Sequence, residues 1–256
     1  MIFLLAQERQ ETIIEIINKE RAVKVSNLLK IFNVSIETVR RDLEILEKEG
    51  RLKRVYGGAV LEKIDGSELT GTDRKTKCID EKRELAGFAT RYVREGQSIA
   101  LDISTTNLEF ARVFKKTVKR LTVLTNSLEI AAELSDMDKY TIILIGGVMR
   151  NDELCIVGDL AEEFISKFHI DTAFMSMSGI SLNCGLTDYG MGEVQVKKKM
   201  MEVAKQTIIL ADSSKFDVVS LLNVCSLDKV DMIITDSKLN SCIIEKYITS
   251  VVIINK

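Results

Sequence analysis

The sequence predicts an α/β protein in two domains: an N-terminal winged helix-turn-helix and a C-terminal α/β domain with a mainly parallel sheet. Three observations predict it. Residues 6–49 carry three helical patterns and run into a glycine hairpin. From residue 80 onward, amphipathic helices alternate with aliphatic runs of four to six residues. The length, 256 residues, suits one large domain plus a small one.

Residues 6–20 read as a helix, because Ile13, Ile14 and Ile17 recur at three- and four-residue spacing with Glu11, Glu15 and Lys19 off that stripe. Val25–Phe32 is a short second helix. Asn33-Val34-Ser35 is a turn ending in a good N-cap residue. A third helix runs from Ile36 to about Glu49 on Ile36, Val39, Leu43 and Leu46, and Gly50 stops it. Residues 51–61 read as a hairpin turning at Gly57-Gly58. The boundaries expected are 1–61 for this head, 62–79 for a semi-ordered linker holding Gly66, Ser67, Thr70 and Gly71 among charges, and 80–256 for the second domain. In that domain the expected strands are Ser98–Leu101, Leu121–Leu124, Tyr140–Ile145, Ala173–Met177, Thr207–Ala211, Met232–Thr235 and Val251–Ile254. The expected helices are Asp80–Arg94, Thr106–Lys115 and Ser127–Leu134, with others near 159–168, 192–205 and 240–247.

The chain has no proline, where a chain this long would hold roughly 13. Caps and turns therefore rest on Gly, Asn, Asp, Ser and Thr, with Ser35, Thr105 and Asn126 expected to open helices. The net charge of −2 speaks against nucleic acid when read alone. Residues 1–60, however, hold 11 Lys/Arg against 9 Asp/Glu, and residues 50–60 hold Arg51, Lys53 and Arg54 with no acid. The longest uncharged stretch, Thr172–Thr187, is 16 residues and too short to span a membrane. Ile2–Ala6 is too short for a signal segment, so a cytoplasmic location is expected. Cys78, Cys155, Cys184, Cys225 and Cys242 form no CxxC and are expected to be reduced thiols. A single histidine, His169, makes a metal site improbable, and its place before a buried strand reads as structural. No cofactor is expected. The methionines 175, 177, 191, 200 and 201 read as core or interface.

In a helix-turn-helix the third helix enters the major groove with its N-terminal residues at base edges. Here that face carries Glu37, Thr38, Arg40, Arg41 and Glu44, with Ser35 at its start. Arginine can hold guanine O6 and N7 together. The hairpin, with Lys53, Arg54, Tyr56 and Gly57, suits a wing on the phosphate backbone. Asp42 and Glu44 count against a DNA face, unless Asp42 pairs with Arg41 or a neighbour and fixes its rotamer. Val34-Ser35, Thr38-Val39-Arg40-Arg41-Asp42-Leu43, Leu46-Glu47, Gly50, Leu52, Arg54 and Gly57-Gly58-Ala59 resemble the DeoR/GlpR family of bacterial transcription regulators. The family pattern reads roughly V-S-x-x-T-[IV]-R-R-D-L-x-x-L-E-x-x-G-x-[LI]-x-R-x-x-G-G-A. Tyr56, where the family often has His, and Lys24, where a Ser or Thr usually caps the second helix, depart from it.

In the second domain three strand ends carry small polar residues: Asp102 to Thr106, Thr125-Asn126-Ser127, and Gly146-Gly147. Ligands of open α/β sheets sit at such ends, and hydroxyls with free N–H groups at helix starts favour an anion. Gly179, Gly185-Leu186-Thr187-Asp188, Glu193 and Lys197 follow, then Asp212 to Phe216 with Asp212 and Lys215 available. Glu193 and Lys197 are i,i+4, a spacing that ordinarily gives a surface ion pair. A lysine and several carboxylates around a phosphate suit sugar recognition or proton transfer between adjacent carbons.

This half resembles the DeoR-family sensor, similar in fold to ribose-5-phosphate isomerase. The motifs are D-x-G-[ST]-T, T-N-[SN], G-G, G-L-T-x…E-x-x-x-K and D-x-[ST]-K-[FW], and Arg74 and Lys82 also match. The resemblance implies a phosphorylated sugar or polyol effector touching Asp102, Ser104, Thr105, Thr106, Asn126, Ser127, Gly146, Gly147, Gly179, Asp188, Glu193, Lys197, Asp212 and Lys215. Ser104 replaces the family glycine and either crowds a phosphate, forbids a positive φ, or adds a hydroxyl.

The function expected is a sequence-specific regulator, a repressor of sugar or polyol catabolic genes. It would bind double-stranded operator DNA as a homo-oligomer, dimer or tetramer, away from any membrane, and be released by its effector. The resemblance brings no catalytic residue. Two alternatives stand beside it: an isomerase-like enzyme using Asp102, Asp188, Glu193 and Lys197, and a DNA-binding regulator that has lost its ligand.

Overall fold

A computed structural model describes residues 6–20, 22–48, 52–55, 58–60 and 71–256. The chain divides into two units, Met1–Ser67 and Glu68–Lys256.

The first unit contains α1 (Ala6–Glu20), β1 (Ala22–Lys24), α2 (Val25–Phe32), α3 (Ile36–Lys48), β2 (Lys53–Val55) and β3 (Gly58–Val60). The predicted stripe is the core: Ile13, Ile17, Leu28, Val39, Leu43, Leu46 and Leu52 are buried together. Asn33 ends α2 in the left-handed region (φ 50°), its N–H bonding the Leu29 carbonyl at 3.0 Å. Ser35 then opens α3, its hydroxyl accepting from the Thr38 N–H at 3.2 Å. Lys24 stands at the N-cap of α2 and makes no side-chain cap. The sequence does not reveal β1. It pairs antiparallel with β3, and β3 with β2, so the wing is a three-stranded sheet in the order β1-β3-β2. Gly58 makes this fit, because a Cβ there would stand 2.2 Å from the Val23 carbonyl oxygen. The expected stop at Gly50 and the turn residues Tyr56 and Gly57 lie outside the described residues.

The second unit opens with α4 (Gly71–Thr76) and α5 (Ile79–Ala89). Of the expected linker 62–79, residues 62–70 lie outside the described residues, and the remainder is corrected. Residues 71–79 are not a tether but part of the second unit, held where the Lys82 ammonium donates to the carbonyls of Arg74 and Lys77. Next come β4 (Ser98–Leu101), α6 (Thr105–Phe114), β5 (Leu121–Thr125), α7 (Leu128–Leu134) and β6 (Tyr140–Leu144). The hairpin β7 (Val148–Arg150) and β8 (Cys155–Val157) leads to α8 (Asp159–Ile165) and β9 (Ile170–Met175). Then follow β10 (Gly179–Ser181), β11 (Gly185–Asp188), α9 (Met191–Glu202), β12 (Ala204–Leu210) and β13 (Leu222–Cys225). The chain closes with β14 (Met232–Ile234), α10 (Ser241–Tyr247) and β15 (Val252–Ile254).

Seven strands form one parallel sheet in the order β15-β14-β12-β9-β4-β5-β6. Both faces are covered, which explains the continuous aliphatic runs. Ile99, Leu101, Ile208 and Leu210 join Leu85, Phe110, Phe114 and Ile130 from α5, α6 and α7. Their strand neighbours Ala100 and Ile209 face Ala161, Val196, Met200 and Tyr247 from α8, α9 and α10. Met175 and Met177 are also core, whereas Met191 is 73% exposed, and His169 is exposed rather than packed. The chain leaves the central β4 toward β5 and β6, then returns to β9 and continues to β12, β14 and β15. The switch point thus falls between β4 and β9, where open α/β sheets place a ligand crevice. Three insertions absent from the sequence reading extend the carboxyl ends of strands. They are the β7–β8 hairpin after β6, β10 and β11 after β9, and β13 after β12, with β10-β11-β13 forming an antiparallel sheet. No described helix is long and apolar enough to cross a membrane.

Candidate ligand crevice and nucleic-acid face

At the switch point Asp102 follows β4 and is wholly buried. Its Oδ2 lies 2.9 Å from the Lys197 ammonium on α9 and accepts from the Ser176 N–H at 3.2 Å. The Asn107 amide donates to Asp102 Oδ1 and to the Phe174 carbonyl. Lys197 also pairs with Asp188 and donates to the Ser176 carbonyl at 2.6 Å. Asp188 accepts from Ser178 Oγ at 2.6 Å and from the Tyr189 N–H at 2.9 Å. Burial raises the Asp102 carboxyl above its ordinary value, and Lys197 only partly opposes this. Burial also pushes Asp188 upward, but Lys197 outweighs it and holds the carboxyl below the usual range. Lys197 itself is raised: burial favours the neutral amine, and the two carboxylates overcome it.

The spacing of Glu193 and Lys197 suggests a mutual surface pair, and the structure corrects this on both counts. Both are buried, and they diverge to different partners. Glu193 Oε1 accepts from Arg150 Nη1 at 2.6 Å, with Cys155 Sγ at 3.7 Å. Glu193 Oε2 is buried with no hydrogen-bond partner among the described residues. Burial, and then Glu193, push the Cys155 thiol up to about 12. Arg150 had no sequence signal, because its partner lies 43 residues away on another element.

The helix caps also need correction. Ser104, not Thr105, caps α6 by accepting from the Asn107 N–H at 3.0 Å. Ser127, not Asn126, caps α7 through the Ile130 N–H at 3.3 Å. Ser104 sits in extended backbone (φ −160°), so a side chain at the family's glycine position brings no strain. The buried Asn126 is engaged on both sides of its amide. Its Oδ1 accepts from the Ile103 N–H and its Nδ2 donates to the Ile156 carbonyl, both at 3.0 Å. It therefore ties the β4–α6 turn to β8.

Thr105 Oγ1 donates to the Arg74 carbonyl at 3.3 Å, and Thr106 is buried. The N–H groups of Thr105 and Thr106, in the first turn of α6, have no intrahelical acceptor. Gly146 and Gly147 are exposed, with Gly147 at φ +154°. Gly179 serves packing, since a Cβ there would come within 2.6 Å of Thr187 Oγ1. Asp212 is buried and caps the short turn Ser213–Lys215 by accepting from the Ser214 N–H at 3.1 Å. Lys215 is half-buried on that turn. Burial lowers the Lys82 ammonium, Asp212 opposes this, and Lys215 adds to the lowering, so the three feel one another. A cavity of about 290 Å³ opens beside Thr105, lined also by Lys75, Arg83, Glu109 and Arg112. No group of His, Cys, Asp or Glu among the described residues could hold a metal ion.

In the first unit α3 exposes Glu37, Arg40 and Arg41, with Thr38 half-buried behind Ser35. Among the described residues Arg40 and Arg41 have no side-chain partner, so both guanidinium forks are open. Asp42 does not pair with Arg41. It is 2% exposed and takes Arg9 from α1 through Nε at 2.8 Å and Nη2 at 3.3 Å, with Gln10 Nε2 at 3.4 Å. The acid beside the arginines is therefore an internal brace of α3. Glu47 holds the wing, accepting from the Arg54 N–H at 2.8 Å and from its Nε at 2.6 Å. Glu44 pairs with Lys48 at 2.9 Å, and that bond lowers its carboxyl. Lys53 lies on β2; its side chain, like Tyr56 and Gly57, is outside the described residues.

A head with an open basic recognition helix and a sensor built at a switch point define a DNA-binding transcriptional regulator. Family models agree: residues 9–65 match the DeoR-like helix-turn-helix domain and residues 77–237 match the DeoR C-terminal sensor domain. The chain belongs to the DeoR family of transcriptional regulators. It is 39% identical over 237 residues to the uncharacterized HTH-type transcriptional regulator YulB of Bacillus subtilis, covering 93% of this chain and 91% of that one. It is 30% identical to the glycerol-3-phosphate regulon repressor of Escherichia coli, covering 90% of each. Ribose 5-phosphate isomerase A from Neisseria gonorrhoeae overlaps 55% of this chain and 54% of its own, at 17% identity and a TM-score of 0.41. The relatives are named as regulators, and the chain is a regulator and not an enzyme.

Proposed function

We propose that this regulator represses sugar or polyol catabolic genes and leaves its operator when a phosphorylated sugar or polyol enters the crevice. The observation that carries this is the open first turn of α6. The N–H groups of Thr105 and Thr106 lack an intrahelical acceptor and stand at a positive helix end. The buried Lys82 and the half-buried Lys215 add positive charge that interacts with Asp212, and the Arg74 carbonyl accepts from both Lys82 Nζ and Thr105 Oγ1. Asp102, Asp188 and Lys197 form a charged floor suited to sugar hydroxyls. Ser104, Asn126, Ser127 and Gly179 shape the loops and are not the primary contacts. A relative named for the glycerol-3-phosphate regulon supports an effector of this chemistry.

In the head, Arg40 and Arg41 read bases, Ser35 and Thr38 meet phosphates, and the wing with Lys53, Arg54, Tyr56 and Gly57 lies on the backbone. Residues 1–61 act as the head and the second unit, from residue 71 on, as the sensor, in the cytoplasm, in a homo-oligomer whose symmetry matches repeated half-sites. The test is a thermal-shift titration with sugar and polyol phosphates, each beside its unphosphorylated parent, followed by operator gel shifts. A phosphate ester that raises the melting temperature and releases the operator is the expected result. If none does so, the chain is a regulator without this effector.

A further inference from the structure

We propose that the outer face of α8 and α9 is the surface on which a second copy of this chain docks. A groove of about 430 Å³ runs between these helices and β13. Asp159 and Glu162 line it from α8, Lys198 and Met191 from α9, and Leu222 from β13. Met191 is 73% exposed at the groove, and Leu222 is half-buried beside it. An open apolar side chain at a groove rimmed by charge marks an interaction surface.

The charges say what covers it. Acids stand on α8 and a lysine on α9, and among the described residues Asp159, Glu162 and Lys198 have no ion-pair partner. In contrast, Glu163 pairs with Lys167 and Lys199 with Glu202, each satisfied within its own helix. A two-fold axis lays one patch on itself, so residue i meets j and j meets i. An acidic helix beside a basic one is self-complementary under that operation: α8 of one copy meets α9 of the other, twice. A partner carrying one sign of charge would satisfy only one of the two helices.

The inference rests on the reading that the regulator is a homo-oligomer, and it names the surface. Sedimentation equilibrium of the full chain tests both. The wild type is expected to assemble. Glu162→Lys, at a half-buried position, or Lys198→Glu, at an exposed one, is expected to raise the dissociation constant about tenfold or more, and the double reversal to restore it to within about threefold. Circular dichroism confirms that each variant keeps its fold. A monomeric wild type overturns the homo-oligomer reading together with this surface. An assembled wild type indifferent to both single reversals overturns the surface alone. Single reversals that weaken assembly without rescue in the double overturn the two-fold pairing of α8 with α9.

Discussion

Lys197 lies 2.9 Å from Asp102 and bonds Asp188 as well, with the three residues only 4%, 0% and 7% exposed. One buried ammonium therefore joins the end of β4 to the end of β11 from a position on α9. The proposed floor of the effector crevice and the sensor's central packing share this single cation. Lys197→Met would leave two buried carboxylates facing each other. A loss of about 3–5 kcal/mol of stability is expected, as when one partner of a buried ion pair is removed. Thermal denaturation of the full chain measures it, and an unchanged melting temperature would contradict the charged floor.

The Asp42–Arg9 pair makes a matching claim about the head. Removing the carboxylate with Asp42→Ala leaves Arg9, with a side chain only 12% exposed, beside an apolar gap. A loss of about 3 kcal/mol in the head is expected, with weaker operator binding because α1 no longer braces α3. Arg9→Met combined with Asp42→Leu should recover much of the stability, since two apolar groups can replace a buried pair. If the double variant is as unstable as the single one, packing and not the ion pair is responsible.

Arg41 separates recognition from folding. It is exposed and its side chain has no bond to any of the described residues, so Arg41→Ala should leave the melting temperature unchanged. Losing a bidentate contact is expected to cost about 1–3 kcal/mol of operator affinity, roughly five- to 150-fold. Sugar-phosphate binding should not move. Gel shifts showing wild-type affinity would remove α3 from the major groove.

Much of this site was legible wherever the signal is local. The period of Ile13 and Ile17, the cap at Ser35 and the aliphatic run of β4 each fix their element within a few residues. The strands β1, β7, β10 and β11 escaped, because three or four residues are too few to show alternation and their pairing comes from distant partners. The same limit applied to side chains. In the sequence Asp42 has Arg41 beside it as a partner, whereas the arginine it binds, Arg9, is 33 residues away. Glu193 and Lys197 share a helix, and only the fold shows that they turn to different partners.

Asp171 gives a test against pH. The Ser98 N–H and hydroxyl donate to its carboxylate at 3.0 and 2.8 Å, and Lys205 lies 2.9 Å away. The Ser98 backbone bond first, then Lys205, holds its pKa down to about 2 from an ordinary 3.8. A depressed carboxyl stabilises the fold above its unfolded value and loses that contribution as pH falls through the folded one. The melting-temperature gap between wild type and Asp171→Asn should therefore be open at about pH 5 and close on approach to pH ~2. A gap constant across that window would show that the bonds do not depend on the charge.

Ser104 decides whether the departure from the family glycine is a defect or a contact. Its φ of −160° requires no glycine, and its hydroxyl already caps α6 through the Asn107 N–H. Ser104→Ala should therefore destabilise the sensor by about 1 kcal/mol, whereas Ser104→Gly should cost only a few tenths. Effector affinity follows a different logic. A crowding side chain predicts that Ser104→Gly binds the phosphate ester more tightly than wild type. A hydroxyl committed to the cap leaves Ser104→Gly near wild-type affinity, and the extended backbone favours this outcome. Isothermal titration of the three proteins, each with its melting temperature measured beside it, distinguishes the cases. Tighter binding by the glycine variant would show that the serine obstructs the open turn of α6.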